Sequence, residues 1–221
     1  MDASLKTARP IRIAAVLFAA ALSCGAAQAF ELTYSVRGST YGVSGTENAA
    51  DLYTAFDAGG PVYCDEQSLD SFVMVNTGAT CGSGNSDLAD FISLEVDLAA
   101  ATVLEFELGT DWGRGGALLV DGAVHTITSD DIWWGYDWNN ADVINSVLSL
   151  SGGVHTLEWI GFESCCNGAR SLRYSADGGQ WQDLTAANFS SLEAVSSTVP
   201  TAAVWGLMLG GLVAWRGLRR T

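Results

Sequence analysis

The chain has 221 residues, which include 25 acidic side chains and only ten lysines and arginines. The imbalance is sharper across the 169 residues from 30 to 198, where four arginines and no lysine face 24 acids, a net charge of −20. A surface this acidic repels nucleic acid and anionic lipid, so both classes of partner are excluded for this region. Its length is that of one domain that buries its own core.

The N-terminus has the pattern of a secretory signal peptide, residues 1–29. Three cations up to residue 12 precede the apolar residues 13–22, and a small-x-small site follows at Ala27-Gln28-Ala29. This order predicts export through the Sec translocon and cleavage by signal peptidase after Ala29. A lipoprotein site at Cys24 is the alternative, because Leu22-Ser23-Cys24-Gly25 is loosely similar to a lipobox.

The C-terminal segment, residues 199–221, predicts a membrane-associated sorting tail. A Ser/Thr-rich tether at 190–198 leads to Val199-Pro200-Thr201, and then come fourteen apolar residues (202–215) and a cluster of three arginines. Cations after an apolar stretch suit a transmembrane helix whose charged end stays in the cytoplasm. Because about 17–25 apolar residues usually span a bilayer, a buried helix is the alternative.

This tail resembles the sorting domain of PEP-CTERM proteins, in particular the variant that begins Ile-Pro-Thr-Leu and continues to Trp-Gly. The matching residues are Val199, Pro200, Thr201, Trp205, Gly206, Arg216, Arg219 and Arg220. The glutamate of the main group is missing. The resemblance implies export in a Gram-negative bacterium, an inner-membrane anchor in the tail, and processing near Val199 and Pro200 by an exosortase-type enzyme. The resemblance also implies that the sorted protein is finally located at the cell surface or in the extracellular matrix.

Residues 30–189 have the pattern of short strands separated by turns. Period-two alternation and Asp-Gly or Gly-Gly turns predict an all-β fold, an antiparallel jelly-roll-like β-sandwich. Hairpin turns are expected after Asp121, Gly152 and Asp177. A helix is predicted only at Asp137–Leu148. Strands are predicted at 31–36, 71–75, 91–98, 102–108, 117–120, 124–127, 154–160 and 171–175.

Two stretches of this domain resemble known families. Val120-Asp121-Gly122, followed by Gly153-Val154-His155-Thr156-Leu157, resembles jelly-roll modules of the carbohydrate-binding and galactose-binding-like type. Cys165-Cys166-Asn167-Gly168 resembles the Cys-Cys-x-Gly signature of a PEP-CTERM family named for that motif. The second resemblance implies export and sorting, and it brings no chemistry to any residue.

Four cysteines follow the predicted signal peptide: Cys64, Cys81, Cys165 and Cys166. An even number in an exported chain predicts disulfides, and four cysteines allow three connectivities. Local pairing, Cys64–Cys81 with Cys165–Cys166, closes a short Gly-rich loop and is preferred. The crossed arrangements stay open at this point, since they avoid a bond between adjacent residues.

Tryptophan is the residue type that this sequence uses most unusually. Six tryptophans lie in the domain, four of them between Trp112 and Trp138. Trp133 and Trp134 cannot both face inward on a strand, because successive side chains alternate. Aromatic rings beside carboxylates and amides are suited to bind a saccharide, because the rings pack on its C–H faces and the polar groups bond its hydroxyls. The candidate ligand residues are Asp111, Trp112, Trp133, Trp134, Asp137, Trp138 and Asn139.

The alternative interpretation is that these rings fill the open end of the sandwich. The two interpretations can be distinguished by experiment, because the saccharide hypothesis predicts that Trp134→Ala weakens glycan binding without unfolding the domain.

Metal and catalytic motifs are weak in comparison. We expect no cofactor, although calcium is an open alternative at loop carboxylates, which are Asp65, Glu66, Asp87, Asp90, Asp130 and Asp131. Arg114 is expected to pair with a neighbouring carboxylate, and His125 and His155 to be surface or half-buried strand residues. The chain lacks the common nucleophile and zinc-protease motifs.

The sequence therefore predicts an exported, non-enzymatic surface or matrix protein that binds polysaccharide. A purely structural surface protein is the first alternative. A glycoside-acting enzyme is the second, and it would need two facing acids in a cleft.

Overall fold

The computed structural model describes residues 30–190, apart from Ser83 and Asn85. The predicted signal peptide, the C-terminal segment 199–221 and all of the tether except Ser190 lie outside the described residues. None of the helices in the part of the chain that the structure describes is long and apolar enough to cross a membrane.

The elements follow one another from Glu31 to Asp183. The helices are α1 (Ala49–Asp57) and α2 (Thr77–Cys81), and residues 186–190 form a further helical turn. The strands are β1 (Glu31–Gly38), β2 (Val62–Ser68), β3 (Ser86–Leu98), β4 (Thr102–Gly109), β5 (Asp111–Trp112), β6 (Gly116–Val120), β7 (Ala123–Thr128), β8 (Ile132–Trp133), β9 (Ile144–Leu150), β10 (Gly153–Cys165), β11 (Ser171–Ala176) and β12 (Gln182–Asp183).

The strands form two stacked antiparallel sheets, which confirms the predicted all-β antiparallel fold. One sheet has six strands in the order β2-β1-β3-β10-β6-β7, and the other has four in the order β12-β11-β4-β9. A two-stranded ribbon, β5-β8, lies beside them. The main core fills the space between the sheets, because each strand turns one alternate set of apolar side chains toward the opposite sheet. Its largest buried members include Tyr34, Phe72, Phe106, Trp159 and Tyr174.

A second core lies on the outer face of the six-stranded sheet. There Leu52 and Phe56 of α1 belong to the same buried cluster as Ile160 and Phe162 of β10. Helix α1 begins with a capping box, in which Asn48 and Asp51 each accept the other's backbone N–H. The sequence prediction missed this helix. The available signal was β10 itself, since a strand that is apolar on both faces needs a cover on each side.

Three predicted elements are corrected by the structure. The helix at Asp137–Leu148 is wrong: the chain turns repeatedly there and then forms β9, whose buried residues recur with period two. The strand at 71–75 is reduced to isolated bridges at Ser71 and Val75. The expected hairpin after Gly152 is instead a crossing from the four-stranded to the six-stranded sheet, since β9 and β10 do not pair.

The turn after Asp121 is confirmed as a hairpin. Asp121 and Gly122 both adopt positive φ, 50° and 74°, and connect the paired strands β6 and β7. These angles match the right-handed twist of the strands.

Glycines make room for the buried Trp112. A methyl group added at Gly116 or Gly161 would overlap the Trp112 indole. The ring therefore lies directly on the backbone of β6 and β10, which pair through these two glycines. Only glycine allows so close an approach.

We expect Gly161→Ala to lower the free energy of unfolding by more than about 2 kcal/mol, because an added methyl group overfills the site of Trp112. Gly42→Ala is the matched control, since the nearest atom would lie 3.9 Å from its new methyl group. Urea denaturation of both variants measures the difference. Equal stability of the two variants would contradict this account of Trp112.

Candidate functional site

The four candidate tryptophans divide into buried and accessible rings. Trp112 is 0% exposed and Trp134 is 2% exposed. The Trp112 indole N–H donates to Asp90 Oδ2 at 3.2 Å, and the Trp134 indole N–H donates to the Ala169 carbonyl at 2.9 Å. Neither ring presents a face to solvent, which corrects the expectation that these two contact a ligand. They fill the end of the sandwich, as the alternative interpretation proposed.

Trp133 behaves as the alternation argument predicts. It is 40% exposed, whereas its neighbour Trp134 is buried. Trp133 is paired with Asp111 across the β5-β8 ribbon. Trp133, the last residue of β8, therefore faces outward, and the next residue, Trp134, faces into the protein.

Accessible aromatic residues on either side of the buried Trp134 form a continuous row with it, which we call the aromatic strip. Ring centroids lie 5.0 Å apart for Trp133 and Tyr136, 5.6 Å for Tyr136 and Trp134, and 4.7 Å for Trp134 and Trp138. The Arg173 guanidinium continues the row, with its carbon 4.4 Å from the Trp138 ring centre and 4.9 Å from that of Trp181. The strip consists of Trp133, Trp134, Tyr136, Trp138, Arg173 and Trp181.

Three rings of the strip are exposed: Trp133 at 40%, Tyr136 at 51% and Trp181 at 37%. Trp138 is half-buried. Buried Trp134 contacts both Tyr136 and Trp138, so a rigid ring underlies the accessible ones. At the other end Arg173 forms an ion pair with Glu107, which fixes the guanidinium between Trp138 and Trp181.

Sequence reasoning missed Tyr136, Arg173 and Trp181 as members of this row. A signal was present for Arg173, which is one of only four cations in a strongly acidic domain. An arginine on a strand of such a domain is expected to have an acidic or aromatic partner. No local pattern brings Trp181 toward Trp138, because the two are far apart in sequence.

The polar candidates lie beside the strip and bond mainly to the chain itself. Asp137 Oδ1 accepts from the backbone N–H of Asn139 at 2.9 Å and from its side chain at 3.1 Å. Asp111 Oδ2 accepts from the Gly168 N–H at 2.9 Å, and burial raises the pKa of this carboxyl. Asp137 and Asn139 are nevertheless exposed residues.

One short loop, residues 167–169, supports the strip by direct contact with three of its aromatic residues. A methyl group at Gly168 would overlap the Trp133 ring, so that ring lies directly on the loop backbone. The carbonyl of Ala169 accepts from Trp134, and the N–H of Ala169 donates to the Tyr136 hydroxyl at 3.5 Å. The position of the strip therefore depends on the conformation of this loop.

Beneath the loop lies a buried ionic cluster of Asp90, Glu163 and Arg170. All three side chains are fully buried. Arg170 Nε lies 2.6 Å from Asp90 Oδ2, and the same guanidinium bonds Glu163. The Tyr34 hydroxyl donates to Asp90 Oδ1 at 2.7 Å, and its pKa is raised by burial. Burial also raises the pKa of Glu163 to about 8, and the Asp90 charge adds to this while the Arg170 charge opposes it.

Asn167 connects the loop to the rest of the domain. Its N–H donates to Glu163, and its side-chain oxygen accepts from Arg170 Nη1 at 3.2 Å. The Asn167 carbonyl accepts from the side chain of Asn76, the N-cap of α2, at 2.7 Å. This single residue links the ionic cluster, α2 and the loop.

Both disulfides are local. The structure bonds Cys64 to Cys81, which ties the end of α2 to β2, and bonds Cys165 to Cys166. The crossed arrangements are thereby ruled out for this structure. Cys165 is the last residue of β10, and Cys166 directly precedes the supporting loop.

Three of the six carboxylates considered for calcium, Asp65, Asp87 and Asp90, have arginine partners. Asp87 lies 2.6 Å from Arg114, which confirms the expected arginine–carboxylate pair, and Asp90 belongs to the ionic cluster. Asp65 lies 3.8 Å from Arg37. Across the described ranges no group of three or more His, Cys, Asp or Glu side chains is placed to hold a metal ion. Calcium binding stays a prediction.

The histidines lie on strands, as expected. His155 on β10 is half-buried, and His125 on β7 is exposed. His155 Nδ1 lies 2.8 Å from Asp121 Oδ2, and this hydrogen bond raises the pKa of the imidazole.

Three open clefts lie against α1, with volumes of about 610 Å³, 440 Å³ and 570 Å³. The second is lined by several carboxylates, and Tyr53 at its wall donates to Glu158 and packs against Phe91. The aromatic strip differs from these clefts because it exposes several rings in a row. We therefore take the strip as the candidate site.

No protein-family model matches the chain, and no curated protein matches it. Among solved structures, it is similar to a PA14 sugar-binding domain from an RTX adhesin, with 14% identity and a TM-score of 0.44 over 72% of this chain and 97% of that one. The PA14 domain of the antifreeze protein MpAFP gives 13% identity and a TM-score of 0.44, over 72% and 88%. A family 35 carbohydrate-binding module from Clostridium thermocellum gives 13% and 0.30, over 66% and 89%. Similarities this distant carry no argument about function.

The raised pKa of Glu163 predicts a pH-dependent stability. The folded state holds this proton more tightly than the unfolded chain, whose pKa is near 4.5. The stabilisation is therefore complete below that value and is lost as the pH rises through about 8. We expect the Tm to fall between about pH 5 and pH 8, and Glu163→Gln to reduce that fall by about 3 °C or more.

Scanning calorimetry across this range measures the effect. His155 loses its own stabilising proton in the same window, and it does so equally in both proteins, so the difference between the two curves isolates Glu163. Parallel curves for wild type and variant would show that Glu163 does not titrate there.

Proposed function

We propose that the domain binds a neutral polysaccharide along the aromatic strip, and that it does so without catalysis. The observation that carries the proposal is the row of exposed rings, Trp133, Tyr136 and Trp181, held by buried or ion-paired neighbours. Sugar rings present flat C–H faces that pack on aromatic side chains, and a fixed row of rings contacts successive sugars of a polymer.

The charge around the strip favours a neutral polymer over an anionic one. Asp111, Asp137 and Asp142 lie beside the exposed rings, and the one cation of the strip, Arg173, is already paired with Glu107. An anionic polysaccharide would meet these carboxylates without a free cation to offset them. Neutral hydroxyl groups can instead donate to the same carboxylate oxygens.

The acids next to the strip support a binding role more than a hydrolytic one. Asp90 and Glu163 are buried and form ion pairs with Arg170, and Asp111 accepts a hydrogen bond from the backbone N–H of Gly168. A glycosidase needs two carboxyl groups that face the same sugar from a cleft. Asp90, Glu163 and Asp111 are instead engaged by partners within the protein.

The chain ends suggest where this binding takes place. We propose export through the Sec translocon with cleavage after Ala29, an inner-membrane anchor in residues 199–221, and sorting by an exosortase-type enzyme near Val199 and Pro200. The charge pattern of both ends supports this route. The domain would then contact polysaccharide at the cell surface or in the extracellular matrix of a Gram-negative bacterium.

Affinity electrophoresis of the purified full-length protein tests the proposal. We expect retardation in gels that contain soluble neutral glucans, mannans or galactans, and none in alginate. Trp133→Ala and Trp181→Ala should each weaken binding about tenfold, because each removes one ring contact. Val62→Ala, also at an exposed apolar residue, is the control and should change nothing. Repeating the gels with calcium and with EDTA tests the calcium alternative.

Trp134→Ala should behave differently from Trp133→Ala. Because Trp134 is buried, its loss should lower the free energy of unfolding by about 3 kcal/mol or more. Binding without a dependence on Trp133 or Trp181 would reject the strip as the site. Retardation in none of the gels would favour the purely structural surface protein.

A further inference from the structure

The bond between Cys165 and Cys166 lies at the base of the aromatic strip. Both cysteines are exposed, whereas the three residues that follow them are buried. The chain therefore passes from an exposed disulfide straight into the loop that supports Trp133, Trp134 and Tyr136.

The backbone at this corner has an unusual conformation. Cys166 has φ 79° and Asn167 has φ 47°, so two successive residues with side chains lie in the left-handed region. Residues other than glycine rarely adopt it, and they persist there only when surrounding contacts require it. The Asn167 side chain supplies such contacts on one side of the corner. The covalent bond from Cys165 supplies the constraint on the other side.

We propose that the Cys165–Cys166 bond positions the aromatic strip, so that the strip has its binding arrangement only in the oxidised protein. The polysaccharide ligand in this statement rests on the proposed function, whereas the arrangement of the rings does not. Gly168 and Ala169 contact Trp133, Trp134 and Tyr136, and both lie within three residues after the disulfide. A change of φ at Cys166 would shift all three aromatic residues together.

Opening this bond is a balanced two-electron reduction. A dithiol such as dithiothreitol donates two electrons and two protons, the S–S bond breaks to give the thiols of Cys165 and Cys166, and the reductant closes to its cyclic disulfide. Both sulfurs belong to exposed residues, so the reductant can reach them.

The Cys64–Cys81 bond offers a matched control. It ties α2 to β2, and α2 contacts the supporting loop through the hydrogen bonds of Asn76 and Thr77 with Asn167. If removal of the Cys64–Cys81 bond also disturbs the strip, the effect is not specific to the disulfide beside the loop. If it leaves the strip unchanged, the effect belongs to the Cys165–Cys166 bond.

A ligand-independent measurement tests the proposal first. The indole N–H of Trp134 donates to Ala169, so its NMR signal and hydrogen-exchange rate report on the loop. In full-length protein carrying Cys165→Ser and Cys166→Ser, we expect its exchange rate to rise at least about tenfold. The buried indole of Trp159, between the two sheets, should change less than about twofold. The variant Cys64→Ser with Cys81→Ser should leave Trp134 as in the wild type.

Reduction of the wild type with dithiothreitol is the second measurement, and it should reproduce the effect at Trp134. Unchanged exchange at Trp134 in both experiments would overturn the proposal. So would an equal change at Trp134 in the Cys64 and Cys81 variant. A simultaneous loss of protection at Trp159 would overturn it too, because the bond would then hold the whole fold rather than the strip.

Glycan binding is measured last on the same samples. If the proposed function is correct, reduction should weaken binding to the neutral polysaccharide by at least about tenfold. If no sample binds a glycan, the proposed function fails, while the exchange rates at Trp134 still decide whether the disulfide positions the rings.

Discussion

The end of the sandwich that carries the aromatic strip is organised around one guanidinium. Arg170 directly precedes β11 of the four-stranded sheet, while Asp90 and Glu163 project from the adjacent strands β3 and β10 of the six-stranded sheet. The ion pairs therefore join the two sheets at this end. They also fix Asn167, whose side chain bonds the same guanidinium. A buried charge is tolerated only with such partners, so losing one of them would leave the others unpaired.

This cluster illustrates how an extremely acidic domain uses its few cations. Each of the four arginines in the described part of the chain is paired with a carboxylate: Arg37 with Asp57 and Asp65, Arg114 with Asp87, Arg170 with Asp90 and Glu163, and Arg173 with Glu107. Every arginine thus holds elements of the fold together. The arginines are engaged in intramolecular ion pairs, which leaves the surface of this domain strongly negative and therefore repulsive toward polyanions.

Much of the sheet structure could be predicted from local patterns, since strands such as β4 and β9 alternate with period two. The assignment of 137–148 to a helix failed because that pattern was overlooked in β9. Helix α1 was missed because it is short and its apolar face is narrow. Its presence follows from β10, whose outward-facing Ile160 and Phe162 need a cover, and this requirement appears only once the sheet is assembled.

The candidate site was predicted in part for a similar reason. Sequence reasoning located the loop with Trp133, Trp134 and Trp138, and alternation indicated that the first two cannot both face inward on a strand. It could not tell which ring faces inward. That choice is made by distant backbone, since Gly109 leaves room for the Trp134 ring and Ala169 provides the acceptor for its N–H. Such tertiary partners have no signature near the tryptophans themselves.

The pairing of a buried ring with exposed ones also explains why this loop contains so many aromatic residues. Exposed aromatic side chains on a mobile loop would lose conformational freedom when they bind, which weakens affinity. Here Trp134 is fixed by its hydrogen bond and contacts both Tyr136 and Trp138, so the accessible rings are ordered before any ligand arrives. Trp134 is itself almost fully shielded from solvent, yet it sets the geometry of the accessible rings that it contacts.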